Sequence, residues 1–297
     1  MRGKLNIFII VLAVLFTLSL LSKVQCRGEG RDEAAVELTP QEAVSEVGAG
    51  DEAARKHRKD TNGDELLMVK GGDVQVLRKT GFVTGYAKEW RLPMWTAWNL
   101  TASHTTGPYK RKGVKFQEDD EVPYPKAMNS DYYSSGYDRG HMCPSGDNKW
   151  SRQAQEDCFL FTNMCPQSHN LNGGDWNDLE MKCRTWAKRY GNIYIVCGPV
   201  FRNSRPSRTI GRNRVWVPDG FYKVVLRLNQ RSDRGKQRGD AIAALGFYYD
   251  NEDGHRPLSE YVMTVDEIEQ MTGLDFFSGL SDKTEQRVEA QADLRDW

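Results

Sequence analysis

The stretch from residue 137 to residue 180 carries side chains that together can hydrolyse a phosphodiester: Arg139, His141, Asn172 and Glu180. An imidazole titrates near neutral pH, so His141 can take a proton from an attacking water. Mg²⁺ is often held by one or two protein oxygens and keeps several waters, so the carbonyl of Asn172 can suffice as its ligand. Glu180 can accept hydrogen bonds from the metal-bound waters, and Arg139 supplies a permanent charge for phosphate oxygens. These residue types therefore predict Mg²⁺-assisted hydrolysis of a phosphate ester.

Two strands and a helix are needed to bring these residues together. The pattern predicts a strand that carries His141, a long loop, a second strand, and then a helix that Gly191 ends. Asp175 follows two glycines and is a suitable N-cap for this helix. One helical face is apolar, at Trp176, Leu179, Cys183, Trp186, Ala187 and Tyr190. If this face packs on the two strands, the polar residues of the motifs line one cleft.

Three motifs follow one another in this stretch. They are Asp-Arg-Gly-His followed by Pro144, then Thr-Asn-x-x-Pro-Gln, then Asn-x-x-x-Trp-x-x-Leu-Glu. Their order resembles the DNA/RNA non-specific endonuclease family, whose fold is of the ββα-metal (His-Me finger) type. The resemblance runs from about Gly81 to Phe277, which is most of the chain beyond its N-terminus.

The resemblance implies a role for each motif residue. His141 would be the general base, Asn172 the Mg²⁺ ligand, and Glu180 a residue that orients the metal-bound waters. Arg139 and Asn163 would support the phosphate and the base.

The family also places an arginine ahead of a Phe-x-Glu-Asp segment, and Arg111, before residues 116–119, is the match in this chain. Arg111 and Arg139 would both be catalytic and substrate-binding residues. The resemblance further implies DNA and RNA as substrates, little sequence preference, products with 5′-phosphate ends, and Mg²⁺ as cofactor, for which Mn²⁺ can substitute. It implies that the chain can form a homodimer, and it implies no dedicated protein partner.

The remaining pattern predicts an α+β fold with a mixed central β-sheet, in which the ββα motif is embedded and which helices flank. Alternating or continuous apolar runs predict strands at 74–77, 81–86, 94–100, 158–163, 192–197, 221–228 and 241–249. Residues 151–157 have a helical pattern, and Thr264 with Glu267 forms a capping box for a helix that ends at Gly273.

Four segments divide the chain. Residues 1–26 combine basic residues with an apolar run, as in a signal peptide that is cleaved after Cys26, a segment lipidated at Cys26, or a retained anchor. Residues 27–73 are charged and poor in aromatic residues, which predicts a disordered linker. Residues 74–280 would form the endonuclease domain, and residues 281–297 a charged, frayed tail. The N-terminal segment predicts an exported protein that is secreted, periplasmic or membrane-anchored.

Charge and cysteine content leave several alternatives open. Lysine plus arginine and aspartate plus glutamate both number 41, so the net charge gives no hint of a polyanionic partner, either for or against. Two basic clusters can be solvated loops or a phosphate-binding rim around the cleft: Arg202, Arg205, Arg208, Arg212 and Arg214, and Arg231, Arg234, Lys236 and Arg238. Beyond Cys26 five cysteines remain, an odd number, and their spacing does not reveal their pairing.

Two other functions compete with hydrolysis. His141, Cys143, Cys165 and His169 offer four zinc-type ligands, so the chain can be an exported zinc-binding module, although their spacing matches no familiar zinc module. Alternatively, the chain can bind nucleic acid without catalysis. Among the motif residues, Asp138 would orient Arg139 or cap a turn, and Asn163 can also satisfy backbone groups in its loop.

Overall fold

A computed structural model of the chain describes residues 65–228, 242–252 and 254–297. The predicted targeting segment, most of the charged linker and the second basic cluster lie outside these residues.

The described residues contain eleven strands, of which seven form one sheet in the order β1-β2-β3-β6-β9-β10-β11. Every pairing in this sheet is antiparallel, so the α+β class is confirmed but the central sheet is not mixed in strand direction. The strands are β1 (Gln75–Arg78), β2 (Val83–Ala87), β3 (Leu92–Thr101), β4 (Asp138–His141), β5 (Met164–Gln167), β6 (Asn192–Val200), β7 (Thr209–Ile210), β8 (Val215–Trp216), β9 (Gly220–Leu228), β10 (Ile242–Asp250) and β11 (Val262–Met263). The pairs β4–β5 and β7–β8 each form a separate two-stranded sheet.

Six α-helices lie between or after the strands in the described part of the chain. They are α1 (Asn129–Tyr132), α2 (Arg152–Asp157), α3 (His169–Gly173), α4 (Asp175–Tyr190), α5 (Val265–Thr272) and α6 (Asp282–Glu289). Helix α4 ends at Gly191, which has a φ of 90°, and α5 begins with the predicted Thr264 capping box. Across residues 65–228, 242–252 and 254–297, none of the helices combines the length and apolar character needed to cross a membrane.

The main sheet has an apolar core on each face, because side chains alternate along its central strands. In β3, Trp95 and Ala97 belong to one buried cluster, whereas Trp98 and Leu100 belong to the other. Helix α4 covers the second cluster, where Trp186 stacks on Phe247 with ring centroids 6.2 Å apart. The predicted apolar face of this helix therefore packs on the sheet, as the sequence pattern requires.

One predicted strand is wrong. Residues 158–163 form no strand; Phe161–Asn163 is a 3-10 turn, and the strand of the second motif begins one residue later at Met164. The physical reason is that the side chain of Asn163 bonds to the backbone of Cys143 and Cys158. These hydrogen bonds hold residues 161–163 in a turn, so this segment does not pair as a strand.

The two ends of the predicted domain also differ from expectation. Leu66 and Leu67, placed in the linker by their charged surroundings, are buried, and Lys70 bridges to Asp275. After Phe277 the chain forms helix α6 rather than a frayed tail. A single apolar residue among charged ones gives no recognisable period, yet Val288 is 1% exposed and anchors the helix.

Trp297 is a second apolar anchor of the C-terminal segment. Its ring lies 5.0 Å from that of Trp186 and 6.0 Å from that of Tyr190, measured between centroids. Arg227 also stacks over it, with Cζ 5.5 Å from the ring centroid. These contacts fasten the C-terminal segment to the end of helix α4.

Replacing Trp297 with alanine should therefore lower the free energy of unfolding by roughly 3 kcal/mol, because a large ring packed in the core is lost. Urea or thermal unfolding measures this. Arg295→Ala is the matched control, since Arg295 is bonded only to the neighbouring Asp293, and it should change stability by less than about 0.5 kcal/mol. Equal stability of Trp297→Ala and the wild type would show that the segment contributes nothing to the fold.

Candidate active site

Strands β4 and β5 form the hairpin that carries the first two motifs. Their register pairs His141 with Met164 and Gly140 with Cys165. Because side chains alternate along a strand, Arg139 and His141 project from the same face of β4. The residue between them must be small, since a β-carbon on Gly140 would collide with the side chain of Gln167.

The surroundings of the His141 ring favour one tautomer. The backbone carbonyl of Arg139 interacts with the ring, and Nε2 is buried without a partner among the described residues, which leaves Nδ1 to face the carbonyl. A carbonyl accepts a hydrogen bond, so this arrangement favours a hydrogen on Nδ1 and a lone pair on Nε2. The ring packs edge-on against Phe159, with centroids 4.9 Å apart.

This environment keeps His141 neutral. Burial, followed by the positive charge of Arg111, lowers the pKa of His141 to about 3, and the bond to the Arg139 carbonyl only partly opposes this. A neutral imidazole with a free Nε2 lone pair can accept a proton, which is what a general base requires.

Arg139 is positioned by Asn129. The sequence had suggested that Asp138 would orient Arg139 or cap a turn. Its Nε donates to Asn129 Oδ1 at 2.8 Å, and its Nη2 donates to the Asn129 backbone carbonyl at 3.1 Å. The guanidinium also lies over three aromatic rings, at 5.3–5.4 Å from their centroids: Phe116, Tyr132 and Tyr133. This arrangement aligns the charge beside His141 while leaving it without a carboxylate counter-ion among the described residues.

The Asp138 carboxylate instead joins the hairpin to helix α3. Its Oδ2 accepts hydrogen bonds from Nδ2 of Asn172 and from Nδ1 of His169, each at 2.9 Å. Because the Asn172 amide donates through Nδ2, its orientation is set and Oδ1 is directed away from Asp138. A carbonyl oxygen presented in this way is suited to a hard cation.

Asn163 lies fully buried behind the hairpin. Its Oδ1 accepts from the Cys143 amide, and its Nδ2 donates to the carbonyls of Cys143 and Cys158, all at 2.9 Å. Both amide hydrogens are used for the backbone, so Asn163 contributes to the site by fixing the loop that follows His141. These bonds correspond to the second of the two roles considered for Asn163, which was to satisfy backbone groups in its loop.

Arg111 lies beside His141 because its segment is docked on residues 159–161. Gln117 exchanges backbone hydrogen bonds with Phe159 and Phe161, at 3.0 and 2.9 Å. Arg111 Cζ lies 5.8 Å from the Phe159 ring centroid, on the same ring that packs against His141. Arg111 is thus placed beside His141, the candidate base, by its contact with the Phe159 ring.

A basic groove adjoins this segment and has a volume of about 740 Å³. Its charged lining is mostly positive, with Lys110, Lys112, Lys115 and Arg152 against Glu156. Tyr109 and Phe116 also line it, and Phe116 contacts both Arg139 and His141. The groove and the candidate site therefore share the ring of Phe116.

Glu180 sits in a buried charge cluster on helix α4. Burial raises its pKa to about 7, while Lys223 lowers it, Asp147 raises it, and Arg184 and Arg111 lower it. Arg184 Nη1 lies 3.7 Å from Glu180 and donates to Asp147 at 2.8 Å. Arg184 was missed in the sequence, although its position four residues after Glu180 places both on one helical face.

The first basic cluster is only partly tied to the site. Arg208 donates to the hydroxyl of Tyr137, at the start of the first motif, at 3.2 Å. Arg202 instead pairs with Asp250, at the end of β10. The choice between solvated loops and a phosphate-binding rim therefore stays a prediction.

The four residues suggested as zinc ligands do not form a metal-binding cluster among the described residues. Cys143 and Cys165 are buried, whereas His169 is exposed and bonded to Asp138. In the described part of the chain, the clusters able to hold a metal through histidine, cysteine or carboxylate groups contain no cysteine. The five cysteines described are all free and buried, so none forms a disulfide there.

Residues 67–283 match the model of the DNA/RNA non-specific endonuclease family, and the chain belongs to this family. It is 35% identical over 213 residues to the mitochondrial nuclease EXOG of Danio rerio, covering 68% of this chain and 60% of that protein. It is 31% identical over 216 residues to mitochondrial endonuclease G of Bos taurus, covering 69% and 70% of the two chains. The chain thus spans less than two thirds of the length of the EXOG relative.

A solved structure supports the same assignment. A chain from the crystal structure of the EndoG/EndoGI complex superposes with a TM-score of 0.64 and 28% identity, covering 71% of this chain and 89% of that one. The predicted family and α+β fold are therefore confirmed.

The prediction of export is wrong. The EXOG and endonuclease G relatives are named as mitochondrial, as is a 30% identical nuclease of Saccharomyces cerevisiae. An N-terminal segment with basic and apolar residues indicates targeting, but its composition does not specify which compartment receives the protein.

The neutral state of His141 can be measured directly. Its ring signals in NMR spectra should not titrate between pH 8 and pH 5, because burial and Arg111 hold its pKa at about 3. The unfolded chain binds this proton below about pH 6.5, so the histidine should also destabilise the fold as the pH falls from 6.5 towards 3. A titration midpoint near 6.5 in the folded protein would contradict the environment described for His141.

Proposed function

We propose that the chain is a Mg²⁺-dependent endonuclease that hydrolyses phosphodiester bonds in DNA and RNA with little sequence preference and leaves 5′-phosphate ends. The observation that carries this proposal is the His141 imidazole, whose Nε2 has no partner among the described residues and which lies beside two arginines. Family membership and the names of the nuclease relatives support the same reaction.

His141 acts as the general base in this reaction. Nδ1 keeps its hydrogen, which points to the Arg139 carbonyl. Nε2 takes the proton of the water that attacks phosphorus. Phe159 and Phe116 pack around the imidazole and keep it neutral before the reaction. The nucleophile is water, so the reaction needs no ribose 2′-hydroxyl and applies to DNA as well as RNA.

Asn172 would hold the metal, because Asp138 accepts from its Nδ2 and leaves the Oδ1 carbonyl for a hard cation such as Mg²⁺. Glu180, next to Arg184 on the same helix, would accept hydrogen bonds from waters on the bound ion. The ion would supply charge stabilisation for the transition state and the leaving oxygen, and Mn²⁺ could substitute for it.

Arg111 and Arg139 bind phosphate oxygens, which carry no sequence information. The basic groove beside Arg111 extends these contacts along the backbone of the substrate. Substrate recognition through phosphates predicts the low sequence preference. By analogy with its relatives the protein acts in mitochondria, and a homodimer remains an expectation from the family resemblance.

The deciding experiment compares wild type and His141→Ala on plasmid DNA and on RNA, with Mg²⁺ and with EDTA. The wild type should cut both polymers only with metal, and the variant should lose roughly 10²–10⁴-fold in rate because the base is absent. Circular dichroism of both proteins checks that the variant is folded. Ligation and phosphatase treatment of the fragments identify their ends.

Two results would refute the proposal. A folded His141→Ala protein that cuts at the wild-type rate would remove His141 from catalysis. RNA fragments with cyclic phosphate ends, and intact DNA, would mean that a 2′-hydroxyl is the nucleophile. Binding of both polymers without any cleavage would favour the non-catalytic alternative.

Asn172→Ala should raise the Mg²⁺ concentration needed for half-maximal activity, because the protein oxygen that holds the ion is lost. Excess Mg²⁺ should restore part of the rate if the remaining groups still orient the substrate. Asn170→Ala, a change of the same kind on an exposed residue of helix α3, should leave the Mg²⁺ dependence unchanged. The same metal dependence in both variants would exclude Asn172 as the ligand.

A further inference from the structure

Helices α5 and α6 bring three carboxylates together on the C-terminal side of the main sheet. Asp266 and Glu269 lie three residues apart on α5, and Glu289 lies at the end of α6. One oxygen of each carboxylate lies within 4.8 Å of the others. Asp266 is exposed, Glu269 is half-buried and Glu289 is buried. The cluster therefore extends from an exposed mouth at the surface into the interior.

Glu289 is the unusual member of this cluster. It is 4% exposed, and its Oε1 has no hydrogen-bond partner within the described residues. A buried carboxylate normally requires hydrogen bonds or an opposite charge, because removing it from water is costly. Glu289 is thus a buried carboxylate with an unpartnered oxygen, and one of its oxygens lies within 4.8 Å of two other carboxylates. This indicates that a positive ligand belongs between them.

Nearby groups increase the negative charge rather than neutralise it. Glu285, one turn before Glu289 on α6, also has a buried Oε1 without a partner. Asp275 adds a further carboxylate, and the Lys70 ammonium that lies 3.3 Å from it is largely exposed. Glu269 Oε1 already accepts the backbone amide of Phe276 at 2.7 Å, which leaves its other oxygen for a ligand.

We infer that Asp266, Glu269 and Glu289 form a binding site for a hard divalent cation of the calcium type, which joins helix α5 to helix α6. The donor set consists of oxygens alone, which excludes a preference for soft metals. Ca²⁺ accepts six to eight oxygens in irregular geometry, including bidentate carboxylates, whereas Mg²⁺ demands near-ideal octahedral geometry. Carboxylates from two separate helices suit the larger ion.

This site is separate from the proposed catalytic metal at Asn172 and has a different role. The cation fastens α6, whose buried Val288 packs into the core beneath the sheet, to α5. Its binding therefore stabilises the fold and leaves the chemistry at His141 unchanged.

The test measures thermal unfolding and calorimetric binding of the full chain with CaCl₂ at a constant, saturating MgCl₂ concentration. The wild type should bind one Ca²⁺, and its Tm should rise by roughly 5 °C when Ca²⁺ exceeds the Kd about 100-fold. Without Ca²⁺, Glu289→Gln should be at least as stable as the wild type, because the amide keeps the size of the side chain and carries no charge in any protonation state, and it should lose the Ca²⁺ response. Its Mg²⁺-dependent plasmid cleavage should equal that of the wild type.

Two further variants keep the test decisive. Asp266→Asn changes only the exposed mouth of the site, so it should fold normally and bind Ca²⁺ at least tenfold more weakly. Asp282→Asn removes a carboxylate from the first turn of the same helix α6 and should keep the full Ca²⁺ response.

Three outcomes would overturn the inference. One is the absence of Ca²⁺ binding by the wild type, even if Glu289→Gln is stabilised, since the carboxyl groups then share protons. Another is a Ca²⁺ response that survives in both Glu289→Gln and Asp266→Asn, since the ion then binds elsewhere. The third is an equal loss of response in Asp282→Asn, since general negative charge then accounts for the effect.

Discussion

The buried carboxamide of Asn163 holds together the elements on which the active site depends. Its three hydrogen bonds join the backbone at Cys143, two residues after His141, to the backbone at Cys158. They close the long loop between β4 and β5 and fix the exit of the strand that carries the base. Each bond is buried, so losing the side chain would leave backbone groups unpaired at a cost of about 1–3 kcal/mol each. The positions of His141 and of Phe159, which packs on it, follow from this one connection.

A second constraint is the group of charged side chains buried between helix α4 and the sheet. Lys223 is fully buried in β9, with its ammonium 4.2 Å from the Trp176 ring centroid. Its positive charge lowers the pKa of Glu180, whereas Asp147 raises it. Arg184 lies next to both carboxylates. Because buried charges must keep their partners, the helix can occupy only one rotation and one depth against the sheet. Glu180 is thereby held in one charge cluster with Arg184, Asp147 and Lys223, within reach of the charge of Arg111.

The two halves of the site are joined by charge and by aromatic packing. Asp138 links the β4 strand to Asn172 on the short helix α3, so the proposed base and the proposed metal ligand are tied to each other. On the other side, Phe116 contacts both Arg139 and His141 and carries the Arg111 segment with it. Burial among these rings and the positive charge of Arg111 both favour the neutral form of His141. The proposed base is therefore held neutral by its surroundings.

The amino-acid sequence by itself determined the motif residues, the helix from Asp175 to Tyr190 and the α+β class. Each of these depends on local chemistry: a residue type at a fixed spacing, a 3.6-residue apolar period, or a glycine that ends a helix. The tertiary structure alone decided the partners of Asp138 and Arg139, the turn at Asn163, the burial of Leu66 and Trp297, and the antiparallel direction of the whole sheet. Those features arise from contacts between segments far apart in the chain, and the periodicity of one segment reports only which of its own faces is buried. It does not report what that face meets.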